Sequence, residues 1–259
     1  MKLVLRAAML AAVLSNVACA SGSPGGRTAS DPFEPFNRAM FSFNETLDDV
    51  VAEPAARAYV NVVPEAFRVT AGNVFANIRD LWTAANQLLQ GKPREAIADF
   101  SRVFINTTVG FAGFADVAAP LGFERHREDF GQTLGRWGIE SGPYLVLPVF
   151  GPSTVRDGVG LVGDLMADPV TRTADRVDVR NSVRALRIVD DRAALLSAGR
   201  VLDGAALDKY TFVRDGYLQR RYNLVWDGDP PSDRDPADEP AGSRARPPGA
   251  AGNTGKEIR

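Results

Sequence analysis

Residues 67–89, FRVTAGNVFANIRDLWTAANQLL, decide the fold class. Phe67, Ala71, Val74, Phe75, Ile78, Leu81, Trp82, Ala85, Leu88 and Leu89 recur at steps of three and four, while Arg68, Asn73, Asn77, Asp80, Asn86 and Gln87 take the other side. That period belongs to an amphipathic helix. Pro64 stands before it, and Gly91 followed by Pro93 supplies the stop. A stripe of this kind ordinarily faces a core, so the apolar side is expected to point inward.

The same spacing recurs outward from this helix. Pro93 to about Thr108 carries Ile97, Phe100, Val103 and Phe104 on one side, and Phe36, Met40, Phe43, Leu47 and Val51 form an earlier stripe. Residues 178–202 and 205–226 repeat the pattern, the latter with Leu207, Tyr210, Val213, Tyr217 and Leu224. No sustained two-residue alternation appears. The chain therefore reads as mainly α, with short irregular pieces between about 110 and 160.

One stretch resists the helical reading. In ESGPYLVLPVFGPS, residues 140–153, the apolar Tyr144, Leu145, Val146, Leu147, Val149 and Phe150 occupy odd and even positions alike, and Pro143, Pro148 and Pro152 forbid a continuous helix. It is too short to span a bilayer, which takes about 20 apolar residues. Two readings stay open: a buried strand or loop, or a hairpin that touches lipid.

The ends have a different character. Lys2 and Arg6 open an apolar run from Ala7 to Leu14, and small residues lead to Ala18, the pattern of a secretory signal over 1–18. Cys19, the only cysteine, follows directly, as the modified cysteine of a bacterial lipoprotein does; Asn16 stands three residues before it, where Leu is usual. Residues 20–30 are rich in Gly and Ser and read as a flexible tether. The folded domain is expected over 31–227, with a disordered tail over 228–259. Losing Lys2 and Arg6 with the signal leaves 28 basic against 32 acidic residues, a balance unsuited to nonspecific nucleic-acid binding.

Reaction chemistry is hard to assemble. His126 is the only histidine, so zinc sets and Ser/His or Cys/His arrangements lack members, and no metal or other cofactor is expected. There is no GxxxxGK[ST] phosphate loop. In FERHREDFG, residues 123–131, the carboxylates Glu124, Glu128 and Asp129 suggest a glycosidase-like pair, although alternating charge more often marks a solvated or salt-bridged connector. A lipid-anchored periplasmic hydrolase using these groups is the alternative to a protein without a reaction centre.

Two long motifs add a resemblance. SDPFEPFNRAMFSFNETLD at 30–48 and DFGQTLGRWGIESGPYLVLPVFGPSTVRDGVG at 129–160, with LLQGKPREAIADFSRVFINTTVGFAGFADVA between them, closely resemble the MlaA (VacJ) family of bacterial outer-membrane lipoproteins, over Asp31 to about Tyr222. The resemblance implies a single domain of amphipathic helices arranged as a ring around a central channel in the periplasmic leaflet, where the same apolar stripes face lipid in part and a core in part, in shares that the sequence does not separate. Through the channel, misplaced phospholipids leave the outer leaflet for a soluble periplasmic carrier, with trimeric porins as partners.

It further implies lipid attachment at Cys19, a channel-side hairpin contributing Tyr144 to Leu147, Val149 and Phe150, and an N-terminal motif of Asn37, Arg38, Phe43 and Asn44 beside that hairpin. Arg136, Arg156 and Asp157, on either side of the hairpin, are candidates for a polar wall, with surface charge or capping as the plainer alternative. Gly135, Gly138, Gly142, Gly151, Gly158, Gly160 and Gly163 would let the segment bend, a gating idea, or simply mark turns. A structural adaptor that only organises porins is a third reading.

Overall fold

The computed structural model describes residues 31–169, 176–198 and 208–229. The signal, Cys19, the tether, Leu207 and the tail beyond residue 229 lie outside the described residues. Helix α1 (Glu34–Leu47) passes through a π-helical turn (Asp48–Ala52) into α2 (Glu53–Val62), and Pro64 separates this from the long α3 (Glu65–Leu89). Gly91 closes α3 at a φ of 78°, and Pro93 opens α4 (Pro93–Thr108), where its missing N–H costs nothing. The helix pair read from the sequence is present.

The region expected to be irregular holds two more helices. Asp129 caps α5 (Phe130–Arg136) by accepting from the Gln132 amide, and Thr154 caps α6 (Val155–Ala167) by accepting from the Asp157 amide. Both caps satisfy amides that a helix start leaves unpaired. The two helices meet closely, because a Cβ added to Gly160 would lie 2.4 Å from the Gly131 nitrogen. Gly160 therefore has a packing role independent of any bending. Helices α7 (Val177–Ala194) and α8 (Lys209–Val225) follow, and residues 199–202 and 205–207 of the stretches read for them lie outside the described residues.

Between α5 and α6 the proline-interrupted stretch forms a hairpin of β1 (Tyr144–Leu147) and β2 (Gly151–Thr154), antiparallel, with Val146 opposite Pro152 and Leu147 opposite Gly151. A two-stranded ribbon has no central strand, which is why Pro152 fits. Tyr144 and Val146 are buried with Tyr210 of α8, and Met40, Phe41 and Tyr217 pack around them. This is the main aromatic core. Among the described residues, no helix is long and apolar enough to cross a membrane.

Candidate functional site

Helix α4 is inverted. Its buried face carries Ala96, Asp99, Arg102 and Asn106, with Asp99 0% and Arg102 and Asn106 each 1% exposed. Ile97, Phe100 and Phe104 lie outward at 65%, 58% and 63%. Helix α3 behaves alike: Asn77, Asp80, Thr83, Asn86 and Gln87 are buried, while Phe67, Leu81, Leu88 and Leu89 are exposed. The expectation that these stripes face a core is thus reversed, and of the ten apolar residues read in α3 only Phe75 is buried. Val109, Phe111, Phe114 and Leu121 extend the outward apolar surface past α4. So many exposed large apolar side chains on two neighbouring helices and the segment after them are unusual on a protein bathed only in water.

The polar interior is closed by ion pairs. Arg102 holds Asp116 at 2.8 Å, lies 3.5 Å from Asp80, and donates to the Phe123 carbonyl. Arg125 reaches Asp80 at 3.2 Å and Asp116 at 3.1 Å. Asn106 donates to Asp116 and accepts from the amides of Val117 and Ala118, which turns the chain after α4 back over the charges. Burial pushes the Asp80 carboxyl up despite Arg125 and Arg102. Burial works the same way on Asp116, but hydrogen bonds from Asn106 and Arg102 outweigh it and hold that carboxyl below the usual range. His126 sets its Nδ1 2.9 Å from Asp99.

Several buried amide oxygens remain without a protein donor, those of Asn77, Gln87, Gln90 and Gln132. Buried acceptors are normally satisfied by protein, water or ligand, so water or a ligand would complete these.

A second charged junction joins α5, α6 and α8. Arg221 donates to Asp129 at 2.5 Å and to Asp157 at 3.0 Å, Tyr217 donates to Asp157 at 2.8 Å, and Arg156 does so at 2.9 Å. The wall candidates Arg156 and Asp157 are accordingly buried and paired with each other. Arg136 stands exposed, its guanidinium 5.2 Å from the Trp226 ring centre. The three do not form one polar surface.

The carboxylates considered for hydrolysis also separate. Asp129 caps α5 and pairs with Arg221, Glu128 is held by Lys92 at 3.2 Å and Gln90 at 2.9 Å, and Glu124 is exposed. Asp48, Asp49 and Glu53 gather three more carboxylates, but Arg192 occupies Asp48 through two bonds of 2.6 and 2.7 Å.

The hairpin is held from one side by α1. Asn37 donates to the Tyr144 carbonyl at 3.1 Å and accepts from the Val146 amide at 2.8 Å; Asn44 donates to the Leu147 carbonyl at 2.9 Å and accepts from the Val149 amide at 2.7 Å. Val149 has a φ of 71°, which is strained for a β-branched residue, and Gly151 follows at 80°. Val149 and Phe150 at the tip are exposed, Leu145 and Leu147 half-buried, and Tyr144 and Val146 enclosed by protein, so these last two have no surface to offer a lipid. Arg38 pairs with Glu34 and Asp208 and lies 4.4 Å over the Tyr210 ring, while Phe43 points outward.

The model of the MlaA lipoprotein family matches residues 29–224. The chain is 35% identical over 224 residues to the intermembrane phospholipid transport system lipoprotein MlaA of Escherichia coli, covering 85% of this chain and 88% of that protein. The Haemophilus influenzae protein of the same name is 33% identical, over 85% and 91% of the two chains. A solved structure concerned with the structural basis for maintenance of bacterial outer membrane lipid asymmetry superposes with a TM-score of 0.66 at 32% identity, over 76% of this chain and 99% of that one.

Proposed function

Because the chain belongs to the MlaA lipoprotein family, we propose that it removes mislocalised phospholipids from the outer leaflet of the outer membrane through a channel bounded by its helices, without covalent chemistry. It delivers them to a soluble periplasmic carrier. Acylated Cys19 anchors it in the periplasmic leaflet, and trimeric porins are its membrane partners.

The observation that carries this reading is the inversion of α3 and α4. Lipid tails satisfy an outward belt of Phe, Leu and Ile, and a polar interior lets a charged head group move without entering hydrocarbon, where its charges cost several kcal/mol. Two acyl chains hold roughly 30 CH₂ groups, so pulling a phospholipid straight into water costs on the order of 24 kcal/mol at about 0.8 kcal/mol each. A route that keeps the chains beside an apolar surface lowers that barrier.

The experiment is the outer-leaflet phospholipid content of cells lacking the protein, beside cells carrying a wild-type copy. Accumulation without it and recovery with it is the expected result. An unchanged leaflet, with another envelope property failing, overturns the proposal.

A further inference from the structure

A cavity of about 600 Å³ opens between the segment after His126 and α8. We propose that it is a head-group subsite, binding a phosphodiester that also carries a hydrogen-bond donor, as a phospholipid head group does. This rests on the transport reading above and names a stopping point on that route.

Three features of the lining carry it. Most arginines of the fold are tied to carboxylates, in a chain with more acids than bases. Arg127 and Arg220, on opposite elements of the cavity, have no carboxylate within ion-pair distance among the described residues. The acids nearby do not compete for an incoming anion, because Lys92 holds both Glu128, at 3.2 Å, and Asp227, at 2.6 Å. Two arginines that line one concavity without a carboxylate partner among the described residues suit a phosphate oxygen pair.

The third feature selects among anions. Gln132 is 2% exposed and lines the cavity, its Nε2 is spent on the Arg127 carbonyl and Asp129, and its Oε1 accepts nothing from the protein. Inorganic phosphate carries its O–H donors on the same small tetrahedron as its acceptor oxygens, whereas the ethanolamine ammonium or glycerol hydroxyl of a head group donates from a point several bonds away. A site that sets two cations apart from an orphaned buried acceptor fits the second kind of ligand. The volume lies in the range of small-molecule sites, about 300–1,000 Å³, and suits a head group rather than a whole lipid.

The test titrates the full chain, in a phosphate-free maltoside detergent, with sn-glycero-3-phosphoethanolamine and separately with inorganic phosphate, read by ligand-observed NMR. The expected result is saturable binding of the phosphodiester, weakened tenfold or more by R127Q/R220Q, with inorganic phosphate a much poorer ligand. Both arginines are exposed, so this variant is expected to keep the wild-type melting curve. Equal binding by the variant overturns the subsite, and equal binding of inorganic phosphate overturns its assignment to a lipid. The same variant in cells is expected to raise outer-leaflet phospholipid. If the wild-type copy restores the leaflet while no phosphodiester binds, the subsite fails and the transport function stands; if deletion leaves the leaflet unchanged, the transport function itself fails.

Discussion

Asn37 and Asn44, seven residues apart on α1, make the same two hydrogen bonds to the hairpin, each donating to a carbonyl and accepting an amide two residues further on, Asn37 along β1 and Asn44 where β1 gives way to the turn. The spacing matches physically. Seven helical residues rise about 10 Å, and the three strand residues separating the two sets of bonds advance about 10 Å. Asn37 thus covers an edge of β1 that would otherwise be free to pair elsewhere, and Asn44 holds the turn that follows it.

The two asparagines are expected to differ in effect. Asn37→Ala leaves buried groups of Tyr144 and Val146 unpaired and should cost at least about 2 kcal/mol, since each such group costs about 1–3 kcal/mol. Asn44→Ala, near solvent, should cost less than about 1 kcal/mol while releasing the tip. Amide exchange separates them: Val149 loses protection in Asn44→Ala while Val146 keeps it.

Inside and outside of α4 should respond oppositely. Arg102→Met leaves Arg125 alone to balance both Asp80 and Asp116 and unpairs the Phe123 carbonyl, and is expected to destabilise by about 3 kcal/mol, the lower end for breaking a buried pair, in a urea titration. Phe100→Ser with Phe104→Ser should leave stability in detergent within about 1 kcal/mol, surface changes being typically within 0.5 kcal/mol each. Flotation with phospholipid vesicles should fall clearly in the double variant. A large loss of stability in detergent would show that these rings serve a core after all.

Acid should weaken the α5 to α8 junction. Burial opposes the Asp129 charge, but the Arg221 guanidinium outweighs it and holds the carboxyl below its ordinary range. The unfolded chain then takes up the proton first. The stabilisation is therefore complete above the unfolded value of about 3.9 and disappears as pH falls through the lower folded value. Melting temperature followed from pH 6 downward should drop in the wild type, and Asp129→Asn should be less stable at pH 6 but flatter below pH 4.

Gly160→Ala is expected to force α5 and α6 apart, because the new methyl meets the Gly131 backbone. Overpacking of this kind costs about 1–3 kcal/mol. A thermal melt reads it, and an unchanged melting temperature would show the contact to be loose. By contrast Gly142→Val and Gly151→Val introduce strain at φ values of 66° and 80° and so cannot test gating cleanly.

Helices α3 and α4 were legible because a three-to-four period survives any environment. Which face turns inward was not, since the period is the same for a core and for a lipid-facing belt. The clue lay on the other side of α4, where Asp99, Arg102 and Asn106 repeat at helical spacing and could pair only if enclosed. Helices α5 and α6 were hidden by Gly131, Gly135, Gly158, Gly160 and Gly163, which lower helix propensity, although Asp129 and Thr154 were available as caps. The hairpin was readable as a possibility. That its root is enclosed while its tip is bare depends on α1 and α8, which no local pattern encodes. Arg127, Arg220 and Gln132 were invisible as a group because α8 joins them only in three dimensions.

The reversal of α3 and α4 also decides how this sequence can drift. Outward positions such as Ile97, Phe100 and Phe104 ask only for grease, so Leu, Val, Met or another aromatic serves equally. Inward positions such as Asp99, Arg102 and Asn106 ask for one shape and one charge, and a hydrophobic replacement there is the disruptive change. A hydropathy rule trained on water-soluble folds would rank those two kinds of mutation in the wrong order.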